Sequence, residues 1–236
     1  MRSFDYIESG KTLLTPHTTS LLAAIHEAKG RQSIQTTIRP DILGTLVAVA
    51  RIQSTDASNR IEGISTSDSR LNDLVSEKVT PRNRNEEEIA GYRDALSVIH
   101  ESHDYIPITP NVILQLHRDL FRHTPLTFAG HFKDSDNVII ERDAHGTSTV
   151  RFAPPSALVT PELIERACSA YTQAIRDGHT DPLLAIAMFI LDFICIHPFN
   201  DGNGRMSRLL TLLMLCRNGY MVGIERMYAD EIENEH

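Results

Sequence analysis

Three times along this chain a small polar residue stands before a proline that opens an apolar run with helical spacing: Thr109-Pro110, Thr160-Pro161 and Asp181-Pro182. A short oxygen-bearing side chain accepts from the free N–H groups of a helix's first turn, and proline at the first helical position gives up an N–H that has no partner there anyway. The three runs predict helices reaching about Arg122, Asp177 and Cys195. The same spacing recurs elsewhere. Leu21, Leu22, Ala24 and Ile25 predict a helix over 17–29. Ile42, Leu43, Leu46, Val47, Val49 and Ile52 predict one that runs to about Arg60 and stops at Glu62-Gly63. Glu86 opens another, with Ile89, Tyr92, Ala95, Leu96 and Ile99 as its stripe. A last helix begins near Gly204, carries Met206, Leu209, Leu210, Leu212, Leu213 and Leu215, and ends at Asn218-Gly219. Residues 1–16 read as irregular, and 64–83 as polar loops around a short helix. The fold class is all-α.

One segment departs from this grammar. Asn137–Arg142 and Thr147–Phe152 are short β-prone runs separated by Asp143-Ala144-His145-Gly146, which reads as a hairpin ended by Pro154-Pro155. An isolated hairpin is marginally stable, so it is expected to pack on the helical body and cover something.

The chain has 236 residues, 41% hydrophobic and 23% charged, enough for a core without disulfide or metal. Cys168, Cys195 and Cys216 match neither a disulfide framework nor a zinc pattern, and Cys195 and Cys216, in apolar surroundings, read as buried thiols. With 23 basic against 31 acidic residues the formal charge is −8, and no dense Lys/Arg run offers a nucleic-acid surface. MRSFDYIESG holds no signal-peptide core, and the longest apolar run, Leu183–Ile196, is interrupted by Asp192 and too short to span a bilayer. No membrane contact and a cytoplasmic location are expected.

The chemistry concentrates in His197-Pro198-Phe199-Asn200-Asp201-Gly202-Asn203-Gly204-Arg205-Met206-Ser207-Arg208, between two apolar helices. Gly202-Asn203-Gly204 leads straight into a helix, whose N-terminus presents unpaired N–H groups to an anion. Arg205 and Arg208, on neighbouring helical positions, add charge-assisted donors. Asp201 suits Mg²⁺, which takes few protein ligands and prefers phosphate oxygens for the rest. His197 is then a free base beside a polyphosphate. Each piece alone has a bland reading as a turn, a solvated arginine or a structural histidine. A divalent-metal hydrolase and a non-catalytic ATP-binding module also stay open on these residues.

The stretch resembles the signature of the Fic (filamentation induced by cAMP) family, His-x-Phe-x-Asp/Glu-Gly-Asn-Gly-Arg-x-x-Arg, at every defined position. The resemblance extends from about residue 40 to 220, with Ala129-Gly130-His131-Phe132-Lys133 and the hairpin similar to the family's flap. It implies a helical Fic-type fold and transfer of AMP from ATP to a Ser, Thr or Tyr hydroxyl of a protein. By resemblance His197 deprotonates that hydroxyl and Asp201 binds Mg²⁺. Gly202, Asn203 and Gly204 form the anion hole, Arg205 holds the phosphates and Arg208 the γ-phosphate. Phe199 is core packing, and the flap from Asp134 to Ile140 holds the target by strand addition. Lysine stands at the Gly204 position in relatives of the Doc type, which transfer phosphate, so the glycine speaks against that chemistry here. Transfer of another nucleotide stays open.

Upstream, Ser58-Asn59-Arg60-Ile61-Glu62-Gly63 matches the family's inhibitory pattern, Ser/Thr-x-x-x-Glu-Gly/Asn. Ser58 and Glu62 share one helical face. The resemblance implies that Glu62 pairs with Arg208 and withdraws it from ATP. The expected organisation is an N-terminal helical segment (1–40) and a core (41–220). The core holds the inhibitory helix at about 42–63, the flap at about 133–152 and the catalytic loop at 197–208. A tail (221–236) follows that is short beside family members with a further Tyr-Tyr helix and a winged-helix domain. Expected partners are ATP and a hydroxyl-bearing protein target, the chain itself among the candidates, and a homodimer is compatible with the pattern.

Overall fold

The computed structural model describes residues 4–220 apart from 39 and 143–147; of 32–48, 141, 142 and 177 it describes the backbone alone. The described elements are α1 (Tyr6–Leu13), α2 (Pro16–Ile38), α3 (Pro40–Ile61), α4 (Asp68–Val75), α5 (Arg84–Ser102) and α6 (Pro110–Leu120). They continue with β1 (Ile139–Arg142), β2 (Ser148–Phe152), α7 (Thr160–Asp177), α8 (Pro182–Ile196) and α9 (Asn203–Arg217). Short 3₁₀ turns at His103–Tyr105 and Ala157–Val159 lie between them.

Local chemistry explains most boundaries. Asn83 accepts from the Glu86 N–H (3.0 Å) at the start of α5, and Asp181 from the Leu183 N–H (2.9 Å) at the start of α8. Thr109 caps α6 with Pro110 behind it. Thr160 departs from the expected capping role. The Ala157–Val159 turn runs directly into α7, so Thr160 is already helical, and its hydroxyl donates back to the Ser156 carbonyl (2.9 Å).

Residues 1–16 are not irregular. Tyr6–Leu13 forms α1 because tertiary contact holds it: the buried Tyr6 hydroxyl donates to Asp192 on α8 (2.8 Å). The Asp192 that interrupts the apolar run is thus a docking point for the N-terminus. The helix expected over 17–29 is longer, extending through Ile38.

Helices α5 to α9 enclose the core. Because α8 is apolar nearly all round, it must be buried, and Leu184, Ala185, Met188, Phe189, Phe193 and Ile196 are. Leu209, Leu210, Leu213 and Met214 of α9, Ile113, Leu116 and Leu120 of α6 and Leu163, Ile164 and Ala167 of α7 complete it. Cys216 is a buried free thiol as expected and Cys168 is buried too, while Cys195, expected to be buried, is only partly so. A satellite cluster of Leu71, Leu74, Val75 and Ile89 lies under α4, with Ile52 of α3 against it.

The strands pair antiparallel, Ile140 opposite Val150, with a bulge between Ile139 and Ile140. The hairpin expected to lie down on the body does not. Every residue of β2 is exposed, as are Val138 and Ile140. The segment before it is tied down instead by polar bonds, among them Asp136 accepting from the Ala157 N–H (2.7 Å). The turn expected at residues 143–146 lies outside the described residues. Among the described residues no helix is long and apolar enough to cross a membrane.

Phe189 is fully buried at the centre of the core. Phe189→Ala is expected to lower unfolding stability by about 3–5 kcal/mol, read from the midpoint of a urea titration.

Candidate active site

The link between α8 and α9 is fixed by what it buries. Phe199 is fully buried, its ring stacked on His117 at 3.8 Å and flanked by Phe132 and Phe193. Asn203 closes the loop on itself, accepting from the Phe199 N–H (2.9 Å) and donating to the Phe199 carbonyl (2.8 Å). Gly202 adopts φ 81°, and a Cβ there would come within 2.9 Å of the Phe121 ring, so only glycine fits.

His117 rivets this arrangement from α6. The Gly130 N–H donates to its Nδ1 (2.9 Å), which leaves Nε2–H to donate to the Asp201 carbonyl (3.1 Å). Burial first pushes its pKa down to about 4, so it is neutral and keeps that tautomer.

His197 is the C-cap of α8 with φ 51°, a left-handed conformation unusual outside glycine. Burial, then the positive charge of Lys133, holds its pKa below the usual histidine value. The Ile194 carbonyl opposes this without reaching hydrogen-bond geometry, and Nδ1 is buried with no partner. A neutral imidazole can accept a proton near pH 7.

Beyond it, α9 begins at Asn203 without a side-chain cap, so its first N–H groups face an open end. Asp201 is about half exposed, with Oδ1 accepting from the Gly202 N–H (2.6 Å) and Oδ2 3.8 Å from Arg84. Among the described residues no group of three or more His, Cys, Asp or Glu could hold a metal. The donor set fits an ion that would take one carboxylate and draw its other ligands from phosphate and water, which is the habit of Mg²⁺.

The two arginines diverge. Arg205, expected at the phosphates, is 1% exposed and turned into the body. Its guanidinium pairs with Glu88 (2.7 Å), lies over the Phe121 ring and reaches 3.8 Å from Asp201, while its Nε is buried without a partner. Its charge therefore sits beneath the cradle. Arg208 faces α3. Its Nε donates to the Ser58 hydroxyl (2.7 Å), and its Nη2 donates to the Ser58 carbonyl (3.0 Å) and to Glu62 Oε1 (2.7 Å). The same Glu62 oxygen would lie 2.3 Å from a Cβ built on Gly204, so the carboxylate rests against the first turn of α9.

Glu62 stands just beyond α3, where Gly63 at φ 75° turns the chain and the Ile64 N–H bonds back to Asn59 (3.0 Å). Ser58 and Glu62, marked by the second motif, are thus brought to Arg208 and the first turn of α9. His117, Arg84 and Glu88 escape a sequence reading, and Lys133 enters it only as part of the flap entry. Glu88 sits in the run Glu86-Glu87-Glu88, which reads only as acidic residues suited to a helix N-terminus.

Residues 107–215 match the family model described as Fic/DOC family. That stretch, a little under half of the chain, carries the match to the family's domain. A Fido domain-containing protein of Dictyostelium discoideum is 37% identical over 90 residues, which is 36% of this chain and 58% of that protein. Protein adenylyltransferase fic-1 of Caenorhabditis elegans is 28% identical over 145 residues, 58% of this chain and 25% of that protein. These matches thus span from a quarter to under two thirds of the curated relatives' length. A Fic domain containing signaling protein from Bacteroides thetaiotaomicron superposes with TM-score 0.71 at 24% identity, covering 84% of this chain and 73% of that one. Fic-1 from C. elegans superposes with TM-score 0.64 at 22% identity, covering 87% and 60%. The shared fold is helical with the small antiparallel hairpin.

The Arg205–Glu88 pair is the buried anchor of this site, with side chains 2% and 4% exposed. Glu88→Ala leaves a buried guanidinium unpaired and is expected to cost about 3–5 kcal/mol in urea unfolding. Glu88→Gln, which keeps an acceptor, is expected to cost less.

Proposed function

We propose that this protein is an adenylyltransferase that moves AMP from ATP to a Ser, Thr or Tyr hydroxyl of a protein, held inactive by Glu62. The observation that carries the transferase reading is a neutral His197 on the same rigid loop as an uncapped helix N-terminus. Relatives named protein adenylyltransferase support it.

The chemistry follows from these parts. His197 takes the proton of the target hydroxyl as its oxygen bonds to the α-phosphorus. The bond from that phosphorus to the bridging oxygen breaks, and pyrophosphate leaves. Backbone N–H groups at Asn203 and Gly204, with Arg205 beneath them, stabilise the charge developing on the phosphate oxygens. Asp201 would hold Mg²⁺, which when bound neutralises phosphate charge. Arg208 would serve the γ-phosphate once released. The rest of the rate comes from positioning two reactants on a loop that cannot relax.

Inhibition in this reading has two physical parts. Three hydrogen bonds hold Arg208 on Ser58 and Glu62. The Glu62 carboxylate also rests against Gly204, where an incoming phosphate oxygen would bind. An anion already at a helix N-terminus excludes another by both volume and charge.

Incubation with ATP and Mg²⁺ followed by intact-protein mass, together with ATP turnover, tests both parts. Glu62→Gly is expected to raise ATP use about 10- to 100-fold, the worth of a charge-assisted bond, and to add an AMP-sized mass wherever the chain modifies itself. His197→Ala in that background is expected to remove about 10²–10⁴ of the rate. Arg208→Ala there is expected to cost about 10²–10³. ATP binding and use no better in Glu62→Gly than in the wild type would end the inhibitory reading, and a phosphate-sized gain would replace AMP transfer by phosphoryl transfer.

A further inference from the structure

Lys133 is 3% exposed, and lysine is seldom buried so completely without a carboxylate partner. Here the ammonium has none at ion-pair distance among the described residues. It donates instead to two neutral oxygens, the Ile196 carbonyl (3.1 Å) and Asn137 Oδ1 (3.1 Å). The backbone of the same residue donates to the Pro198 carbonyl (2.8 Å). Asn137, at the foot of the hairpin, donates in turn to the Phe199 carbonyl (3.5 Å). The carbonyls on both sides of His197 are thus held by one two-residue clamp, and His197 between them keeps a backbone conformation that would otherwise relax.

Packing alone does not ask for a charge at this position, since a neutral side chain of similar length fills the same volume without desolvating an ammonium. Charged groups surround the loop on every element. Asp134 and Asp136 lie beside Lys133, Asp192 on α8, Arg84 and Glu88 on α5, and Asp201 and Arg205 at the start of α9. Among them Lys133 is the one bonded to the carbonyl next to His197, where a positive charge disfavours the charged ring. Burial strengthens that action, because little water screens it.

We propose that Lys133 is the positioning residue of the base, clamping the catalytic loop to the hairpin and keeping the His197 imidazole in its proton-accepting form. The roles are joined, because displacing the hairpin foot would move the ammonium away from the ring. The assignment rests on His197 being the base of the transfer reaction, but its first test needs no transfer.

The test is a ¹³C-histidine NMR titration of the full chain. His197 in the wild type is expected to titrate below the ordinary histidine value. Lys133→Arg, which keeps the charge, is expected to leave it low. Lys133→Met is expected to move it up. Asn137→Asp, which sets a counter-charge on the ammonium, is expected to move it up as well and serves if the methionine variant fails to fold. An ordinary or raised value in the wild type would overturn the proposal, as would an unmoved value in both neutralising variants.

The second arm measures the pH profile of AMP transfer in the Glu62→Gly background. The acidic limb is expected to shift to higher pH with Lys133→Met and to stay in place with Lys133→Arg. A rate lowered equally at all pH by both would mark the lysine as mere packing. If no AMP transfer occurs in any variant while the titration behaves as expected, the adenylyl-transfer reading fails and the clamp stands.

Discussion

The burial of Phe199 is the constraint on which the site depends. Its ring cannot leave the stack with His117 without opening the core between α6 and α8. With that ring fixed, the reciprocal bonds between Phe199 and Asn203 leave the intervening residues one path, which the left-handed Gly202 completes. His197 and the first turn of α9 are therefore held in one short rigid piece, and on the proposed reading catalysis by positioning needs that rigidity more than it needs any single strong contact.

Electrostatics divides the site into a fixed layer and an exchangeable one. In the fixed layer Arg205 is neutralised by Glu88, both deeply buried, with Arg84 extending the network from Glu88 towards Asp201. A pair so placed contributes modestly to net stability but makes removal of either partner costly. The exchangeable layer lies over it, where Glu62 and Arg208 are about one third exposed. Solvent screens that pair, so its contribution is small. An overall charge of −8 would repel a polyphosphate at long range, so on the proposed reading its binding falls to these local cations and to the helix end.

What the sequence disclosed follows the range of the forces involved. Helix starts at Thr109 and Asp181 depend on neighbours two or three residues away, and the motif residues of the His197–Arg208 loop lie in one continuous stretch, so both are legible. Even the approach of Glu62 to Arg208 was anticipated from a second short motif. The pieces that escaped are those made by distant contacts. Helix α1 has a glycine and two threonines in or beside it and forms because Tyr6 finds Asp192 across the core. Lys133 and His117 carry no local sign that one meets the Ile196 carbonyl and the other Phe199. Thr160 shows the opposite failure, a correct local signal overridden because the preceding turn was already helical. The hairpin's stand-off from the body was equally invisible, since alternation tells which residues share a face but not whether anything covers it.

The hold on Glu62 can be judged from the seam behind it. Helix α3 meets the body through buried Thr55, Ser58 and Asn59, while its last hydrophobic residue, Ile61, is 69% exposed. A cavity of about 240 Å³ lies along this seam, lined by Ala50, Ser54 and Ala57 on one side and Tyr92, His100 and Leu212 on the other. The Thr55 hydroxyl and Asn59 Oδ1 are buried there without partners. Unfilled volume and unmet polar atoms both weaken a docked helix. Fully packed Leu or Phe side chains would make the seam permanent. On the proposed reading, the bonds to Arg208 are the part of this seam that a phosphate would recruit. On the proposed reading, ATP and the inhibitory helix therefore compete for one arginine rather than act through a distant relay. The balance between them is set by differential contacts at that single point.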